Sequence, residues 1–335
     1  MHLSRRNCES WRWKRWLPSV RSSPVAPPAG TWRRRGVGRW ADSLFALFAA
    51  LSGVLILLTL AYMVISTTGT ALPVFGSQGL AFVTSSEWSP QNGKFGALAF
   101  IYGTFTTSVI ALIIAVPLSL GVSLFLTEYS PRRLKGPIGY AVDLLAAVPS
   151  VIYGLWGVFV LLPLFLQPAA DFLAKYLGFI PIFKGSPSGI SYFGAGVILA
   201  IMIIPIISSL CREVFATVPD DERQAAYALG ATKWEMIREV VLARGRAGVI
   251  SAVMLGLGRA LGETIAVALL IGSKVSIDAS ILKPGYSMAA VIANQFQEAT
   301  GEHIRALVGI GVVLFAITIV INMAARALAW RFSRP

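Results

Sequence analysis

Two charged residues, Arg259 and Glu263, lie four positions apart in the apolar, glycine-rich stretch "GLGRALGETIAVALLIG". An arginine guanidinium is a planar fork of donors whose geometry matches an oxyanion. A carboxylate accepts a hydrogen bond from an oxyanion that still carries a proton. Together these residue types suit the binding of a partly protonated anion. The alternative is that the two charges only neutralise each other, although the order with arginine first is the weaker one for such a pair on a helix.

The surrounding residues predict one helix over 249–272 as the element that positions both charges. At about 100° per residue, Arg259 and Glu263 share the face that carries small residues. Gly258 and Gly262 have the spacing that permits close approach of a neighbouring helix. An arginine near the middle of a membrane span costs about 2.5 to 3.5 kcal/mol to insert, and stability alone is a weak reason for a buried ion pair. We therefore expect Arg259 to face a cavity.

The composition indicates that the solvent of this chain is a lipid bilayer. Of its 335 residues, 56% are hydrophobic and only 13% are charged, and the mean hydropathy is +0.70. A soluble globular protein has about 25% charged residues, and a membrane-spanning helix needs about 20 mostly apolar ones. Six segments meet that requirement, so we predict an all-α integral membrane protein. The predicted spans are 42–66, 98–126, 138–166, 193–210, 249–272 and 306–329.

Most of the 29 Lys and Arg residues fall in the segments that six spans place on one side of the membrane. The positive-inside rule then predicts that the N and C termini are both cytoplasmic. This bias accounts for much of the net charge of +13, so the charge does not require a nucleic-acid partner. Cys8 and Cys211 both fall on the reducing side, where no disulfide is expected. With only His2 and His303, no histidine cluster suggests a metal site.

The predicted domain organisation is a basic tail, 1–40, followed by a permease domain, 41–335. Helix breakers occur inside the predicted second and third spans, at Pro117 and at Pro149, which Ser150 follows. Such breakers are tolerated at membrane depth where neighbouring helices or a water-lined cavity satisfy the freed backbone groups. These three residues are therefore candidates for a helix break that lines a pathway, and a kink that serves only packing is the alternative.

The connection between the fourth and fifth spans, residues 218–248, predicts two short helices at an elbow. Asp221 with Gln224, and Thr232 with Glu235, have the spacing of N-terminal capping boxes. Gly230 between them suits the left-handed position that ends a helix. A small-residue face on the first helix suits docking into a groove of a partner, whereas a helix lying against the membrane is the alternative. That face is formed by Ala225, Ala226 and Leu229, and the second helix carries an apolar stripe of Trp234, Ile237 and Val241.

"QAAYALGATKWEMIREVVLA" resembles the EAA loop of the ATP-binding-cassette importer permeases. The matching positions are Ala225, Ala226, Gly230 and Leu242, with Gln224 at the glutamate position and Ala243 at the proline position. The resemblance implies that the elbow is the coupling element that fits a cleft of an ATP-binding subunit. The missing glutamate puts any particular ionic contact to that subunit in doubt.

"GLGRALGETIAV" and "AAVPSVIYGLWG" are similar to the PstC-type permease family of bacterial phosphate-specific importers, over roughly residues 44–330. The resemblance implies the six-helix type I importer fold in the bacterial cytoplasmic membrane, with Arg259 and Glu263 at the phosphate path. It further implies a second, PstA-like permease, two PstB-like ATP-binding subunits and an extracytoplasmic PstS-like phosphate-binding protein. The chain contains no phosphate loop of the type that binds ATP. ATP and Mg²⁺ are therefore expected on the partner ATPase, and this chain is expected to be no enzyme.

Phosphate fits the residue pair because it keeps a proton near neutral pH, which Glu263 can accept; sulfate has no such proton. Two other interpretations remain open. One is an importer permease of the same fold for another oxyanion, such as sulfate or molybdate. The other is an ion-coupled secondary transporter in which Arg259 and Glu263 form a proton or ion relay, although such a transporter needs no docking site for an ATPase.

Overall fold

A computed structural model of the chain describes residues 37–185, 187 and 189–332. Most of the predicted basic tail, together with Cys8 and His2, lies outside these residues. By contacts the chain divides into two compact units, Met1–Leu60 and Ala61–Pro335. In the first unit, residues 37–60 are helical. The second unit holds the rest of that helix and the other described elements.

The described residues are almost entirely helical, with one two-stranded antiparallel hairpin. The strands are β1, Trp88–Ser89, and β2, Lys94–Phe95. The α-helices are α1 Val37–Gln78, α2 Ala81–Thr84, α3 Leu98–Leu124, α4 Arg132–Ala146, α5 Ser150–Trp156, α6 Gln167–Leu177, α7 Tyr192–Ala216, α8 Asp220–Ala228, α9 Lys233–Met236, α10 Ala243–Gly262, α11 Ile265–Ile271, α12 Met288–Gln295 and α13 Glu302–Phe332. Wider π-helical turns extend or join them at Phe125–Tyr129, Gly157–Leu166 and Ile237–Leu242, and short 3₁₀ turns occur at Pro90–Asn92 and Pro181–Phe183.

Six of the described helical segments are long and apolar enough to cross a membrane, which confirms the predicted number. They are Trp40–Gln78, Leu98–Tyr129, Ser150–Leu177, Tyr192–Ala216, Lys233–Gly262 and Glu302–Ala327. The predicted third span, 138–166, is wrong at both ends, because the helix breaks before Ser150. The predicted fifth span, 249–272, is also wrong, because its helix starts in the elbow and ends at Gly262.

Helix α7 is the most buried of the six segments and lies against α3, α10 and α11. Small residues allow these close contacts, as is usual for helices in a membrane. A Cβ atom on Gly196 would lie 2.5 Å from Ile110 of α3, and one on Gly256 of α10 would lie 2.7 Å from Ile207 of α7. The fifth span is therefore fixed to the centre of the bundle through Gly256.

Candidate functional site

The helix of the fifth span is interrupted next to its two charged residues. Helix α10 ends at Gly262, Glu263 is extended at φ −69° and ψ 130°, and α11 begins at Ile265. A break of this kind leaves carbonyl groups of one helix and amide groups of the next without helical partners. Within a membrane, irregular backbone is tolerated only where it is buried in protein or lines a water-filled cavity. The prediction that Arg259 and Glu263 share one continuous helical face is therefore wrong.

A second helix break lies at Pro149, between α4 and α5. Proline disfavours helical backbone in the residue before it, and α4 ends at Ala146 while Ser150 begins α5. The Tyr153 hydroxyl donates a hydrogen bond of 2.8 Å to the carbonyl oxygen of Leu145, one of the groups at the end of α4. Pro149 and Ser150 thus lie at the predicted break. Pro117, in contrast, lies inside the continuous helix α3, so the chain is not interrupted there.

The two breaks lie side by side. A Cβ atom on Gly154 would lie 3.0 Å from the Cα atom of Ala266 and 2.8 Å from the side chain of Leu269. The middle of α5 therefore packs directly on the start of α11. The two sequence stretches that carry the family resemblance form one structural site, a contact that their separation along the chain did not reveal. The glycine within "IYGLWG" was the available signal for this close approach.

Arg259 is exposed on α10 and makes no ion pair with any other described residue. Glu263 is 9% exposed, and no hydrogen bond joins its side chain to another described residue. The two charges do not neutralise each other directly, so the guanidinium is free to bind an anion. Tyr153 is a residue of this site that the sequence analysis did not identify.

The glycines predicted to allow close approach of a neighbouring helix are not the ones that make this contact. The close contact with a neighbouring helix is made at Gly256 rather than at Gly258 and Gly262. A Cβ atom on Gly262 would meet no described atom within 4 Å, and one on Gly258 would meet only Asn322 Oδ1, at 4.0 Å. This face, which includes the turn that carries Arg259, is open among the described residues.

In the elbow, residues 218–248, the first helix is terminated by Gly230, as predicted. Gly230 has φ +86°, and its amide donates to the carbonyl of Tyr227 while the amide of Ala231 donates to that of Ala226. These two bonds form a Schellman motif. The predicted capping box of Thr232 and Glu235 is also present.

Two predictions about the elbow helices are wrong. Asp221 lies in the first turn of α8 rather than at its cap, because proline at 219 occupies the cap position and the helix begins at Asp220. The second helix is not short, since α9 continues through the π-helical turn into α10. In the predicted apolar stripe, Ile237 and Val241 are buried and only Trp234 is exposed. The stripe therefore serves mainly the protein core.

The elbow presents an exposed surface of small and apolar side chains. Leu229 is 89% exposed, and Gln224 and Ala225 are exposed beside it. A groove of about 670 Å³ separates α8 from the start of the fifth span. Its lining includes Ala225, Ala226, Leu229, Val240 and Ala243. Leu242, the last matching residue of the EAA-like stretch, is half-buried and lines a different groove, with Arg238 and Arg246.

Buried charges fasten the elbow to the end of the second span. Arg223 forms an ion pair of 3.1 Å with Glu128, whose side chain is 8% exposed. The same guanidinium pairs with Asp220 at 2.9 Å and donates to the carbonyl of Phe215 at 2.8 Å. Lys233 adds a cation–π contact with the Tyr129 ring, at 4.1 Å from its centre. The Arg223–Glu128 pair therefore links the elbow to the end of the second span through side chains that are largely shielded from water.

Gly230→Ala is expected to destabilise the elbow by about 1 kcal/mol, because alanine is strained in the left-handed region. Hydrogen exchange measured over residues 220–232 of the assembled protein should become about fivefold faster. Gly121→Ala is the matched control, since Gly121 lies inside a helix with no described atom within 4 Å of its Cβ position. Unchanged protection in Gly230→Ala would contradict the role assigned to this glycine.

The chain is similar to known proteins over most of its length. The family described as "Binding-protein-dependent transport system inner membrane component" matches residues 119–334. The phosphate transport system permease protein PstC of Xylella fastidiosa is 46% identical over 88% of this chain and 92% of its own length. The protein of the same name from Mesorhizobium japonicum is 43% identical over 94% of this chain and 96% of its own length.

Solved structures with the same fold are more distant in sequence. One is a bacterial ABC transporter involved in the import of alginate, with a TM-score of 0.56, 16% identity, and coverage of 90% of this chain and 100% of that one. Another is the MetNI methionine ABC transporter, with a TM-score of 0.50, 16% identity, and coverage of 70% of this chain and 97% of that one. At this identity the likeness shows the fold alone. The chain thus belongs to the inner-membrane permeases of binding-protein-dependent transport systems, in the family of the phosphate transport permease PstC.

Proposed function

We propose that this chain conducts inorganic phosphate through the cytoplasmic membrane as a permease subunit of an ATP-driven importer. The observation that carries the proposal is the pair of adjoining helix breaks, which leaves Arg259 without a carboxylate partner beside the buried Glu263. An unpaired guanidinium within a membrane span is costly unless a ligand or water accompanies it. The names of the PstC relatives support phosphate as that ligand.

The partners follow from the elbow and from the family. The exposed surface around Leu229 suits a cleft of an ATP-binding subunit, and we place it with both chain termini in the cytoplasm, where Lys and Arg are concentrated. A second permease would complete the pathway, and an extracytoplasmic binding protein would deliver phosphate to the opposite side. ATP and Mg²⁺ would be bound by the two ATP-binding subunits, whose closure would move the elbow and switch access to Arg259 between the two sides.

The driving force is tested in proteoliposomes that contain the complete complex and receive phosphate-loaded binding protein. Labelled phosphate is expected to accumulate with ATP, and not with a proton gradient alone. Accumulation driven by the gradient alone would identify a secondary transporter and overturn the proposal. Uptake of sulfate or molybdate that outcompetes phosphate would instead identify a permease of the same fold for another oxyanion.

Glu263 is expected to select phosphate through the proton that this anion carries. In Glu263→Gln the amide no longer repels a fully ionised anion, so we expect discrimination against sulfate to fall by about tenfold, the effect of one lost charged hydrogen bond. Glu263→Asp keeps the carboxylate, and Glu298→Gln removes an exposed one far along the chain; both should retain selectivity. Competition uptake assays measure the ratio. Equal phosphate uptake and equal sulfate exclusion in Glu263→Gln and the unaltered protein would refute this role.

A further inference from the structure

A groove of about 580 Å³ lies between α10 and α13, apart from the two helix breaks. It is lined by apolar side chains such as Leu255 and Met323 and by three polar ones, Ser251, Asn322 and Arg326. Among the described residues of the lining, Arg326 is the one charged side chain, and no carboxylate is present. The groove therefore has a positive electrostatic character inside a span-forming pair of helices.

One lining residue of the groove, Asn322, lies close to the turn that carries Arg259. Ser251, Leu255, Gly258 and Gly262 recur at intervals of three and four residues, so they share one face of α10. Asn322 Oδ1 is 4.0 Å from the Cβ position of Gly258, the residue before Arg259. The amide of Asn322 thus lies at the level of Arg259, and the groove extends from there towards the elbow end of α10.

Arg326 lies one helical turn beyond Asn322, about 6 Å along α13. Both residues are exposed, and neither side chain makes an ion pair or hydrogen bond with another described residue. An amide or guanidinium in an apolar setting is unfavourable unless it is hydrogen-bonded. A wet groove satisfies both groups, and an oxyanion satisfies them better because Arg326 and the Asn322 amide are both donors.

We propose that Asn322 and Arg326 form a second oxyanion station, on the elbow side of Arg259, which phosphate occupies after it leaves Arg259. The proposal rests on the proposed function. Conduction requires sites that each bind weakly enough to release the ion, and adjacent sites allow transfer between them. A neutral amide beside a single guanidinium, with no carboxylate, suits a weak station that accepts phosphate and then releases it to water.

An alternative role for Arg326 is a topological charge near the membrane surface, and the variants separate the two roles. Arg326→Lys keeps the charge and its effect on topology, whereas Arg326→Gln removes it. For transport we expect the turnover of phosphate uptake to fall by about tenfold in Arg326→Gln, by less in Arg326→Lys, and by severalfold in Asn322→Leu. Val320→Leu, at an exposed apolar position of α13 outside the groove lining, should leave uptake unaltered. The amount of assembled complex should remain the same in all four.

A second measurement tests phosphate binding in the groove independently of transport. Asn322→Cys in the assembled complex should react with a membrane-impermeant thiol reagent applied from the elbow side. Inorganic phosphate should slow that reaction severalfold, and sulfate should slow it to a similar extent, because the station has no carboxylate to exclude a fully ionised anion. No reaction, or loss of assembly in Arg326→Gln and Asn322→Leu, would show that another subunit covers the groove and would overturn the proposal. Full uptake in Arg326→Gln would overturn it too. If the unaltered complex transports no phosphate, the proposed function fails instead, which keeps the two failures distinct.

Discussion

Arg259→Gln is expected to reduce phosphate uptake by about 100-fold, which corresponds to about 3 kcal/mol of lost interaction with the anion. The side chain makes no ion pair with a described residue, so its removal strands no carboxylate in the fold. Insertion of the helix should become easier, because an arginine costs about 2.5 to 3.5 kcal/mol at the centre of a span. The variant should therefore accumulate normally and fail only in transport.

The matched variants for this position test charge and geometry separately. Arg259→Lys keeps the charge but loses the planar fork, so we expect about tenfold lower uptake, from the loss of one charged hydrogen bond. Arg246→Gln removes an exposed arginine from the same helix α10 and should leave uptake unchanged. Initial uptake rates in proteoliposomes, normalised to assembled complex, provide the measurement. An Arg259→Gln protein that transports at the normal rate would remove Arg259 from the phosphate path.

Glu128→Gln is expected to lower the number of phosphate ions imported per ATP hydrolysed by about tenfold, with ATP hydrolysis largely retained. Glu128 is 8% exposed and joins the end of the second span to Arg223 of the elbow. The ion pair is held by charge more than by a directed bond, because Glu128 Oε1 accepts no well-aligned hydrogen bond. Without it, ATPase movement would still reach the elbow but would be transmitted poorly to the span.

The stability cost of Glu128→Gln should stay at about 1 to 3 kcal/mol, the penalty of one buried unsatisfied group. Arg223 keeps its contacts with Asp220 and with the Phe215 carbonyl, which limits the loss. Glu87→Gln is the control, since its ion pair with Lys94 is exposed on both sides and such pairs contribute about 0 to 1 kcal/mol. Paired assays of ATP hydrolysis and phosphate uptake give the number of phosphate ions imported per ATP hydrolysed. An unchanged ratio in Glu128→Gln would show that coupling runs through other contacts.

Hydropathy and local signals were sufficient for much of the fold. Six apolar runs predict six helices because the transfer free energy of a span is a sum over its residues and does not depend on its neighbours. The Gly230 termination and the Thr232–Glu235 capping box were equally predictable, since both motifs are satisfied by backbone groups within a few residues. The same holds for the charged pair, whose cost in a membrane indicates a functional role from sequence alone.

The continuity of the spans was not predictable in this way. A hydrophobic run indicates the free energy of transferring its side chains into the bilayer. That free energy is nearly the same whether the helix is continuous or broken. The break at Glu263 depends on tertiary contacts that accommodate the freed backbone, among them the packing of Gly154 on Ala266. These two residues are more than a hundred positions apart along the chain, so no local sequence pattern predicts their contact.

The sequence by itself determined the membrane class, the number of spans, the elbow and the residues to suspect, because each rests on composition or on interactions between near neighbours. Only the tertiary structure decided that the helix carrying Arg259 breaks at Glu263, that Pro149 lies at a second break beside it, and that Arg259 has no described ion-pair partner. These features depend on how distant helices pack, and packing is a property of the whole bundle rather than of any one segment.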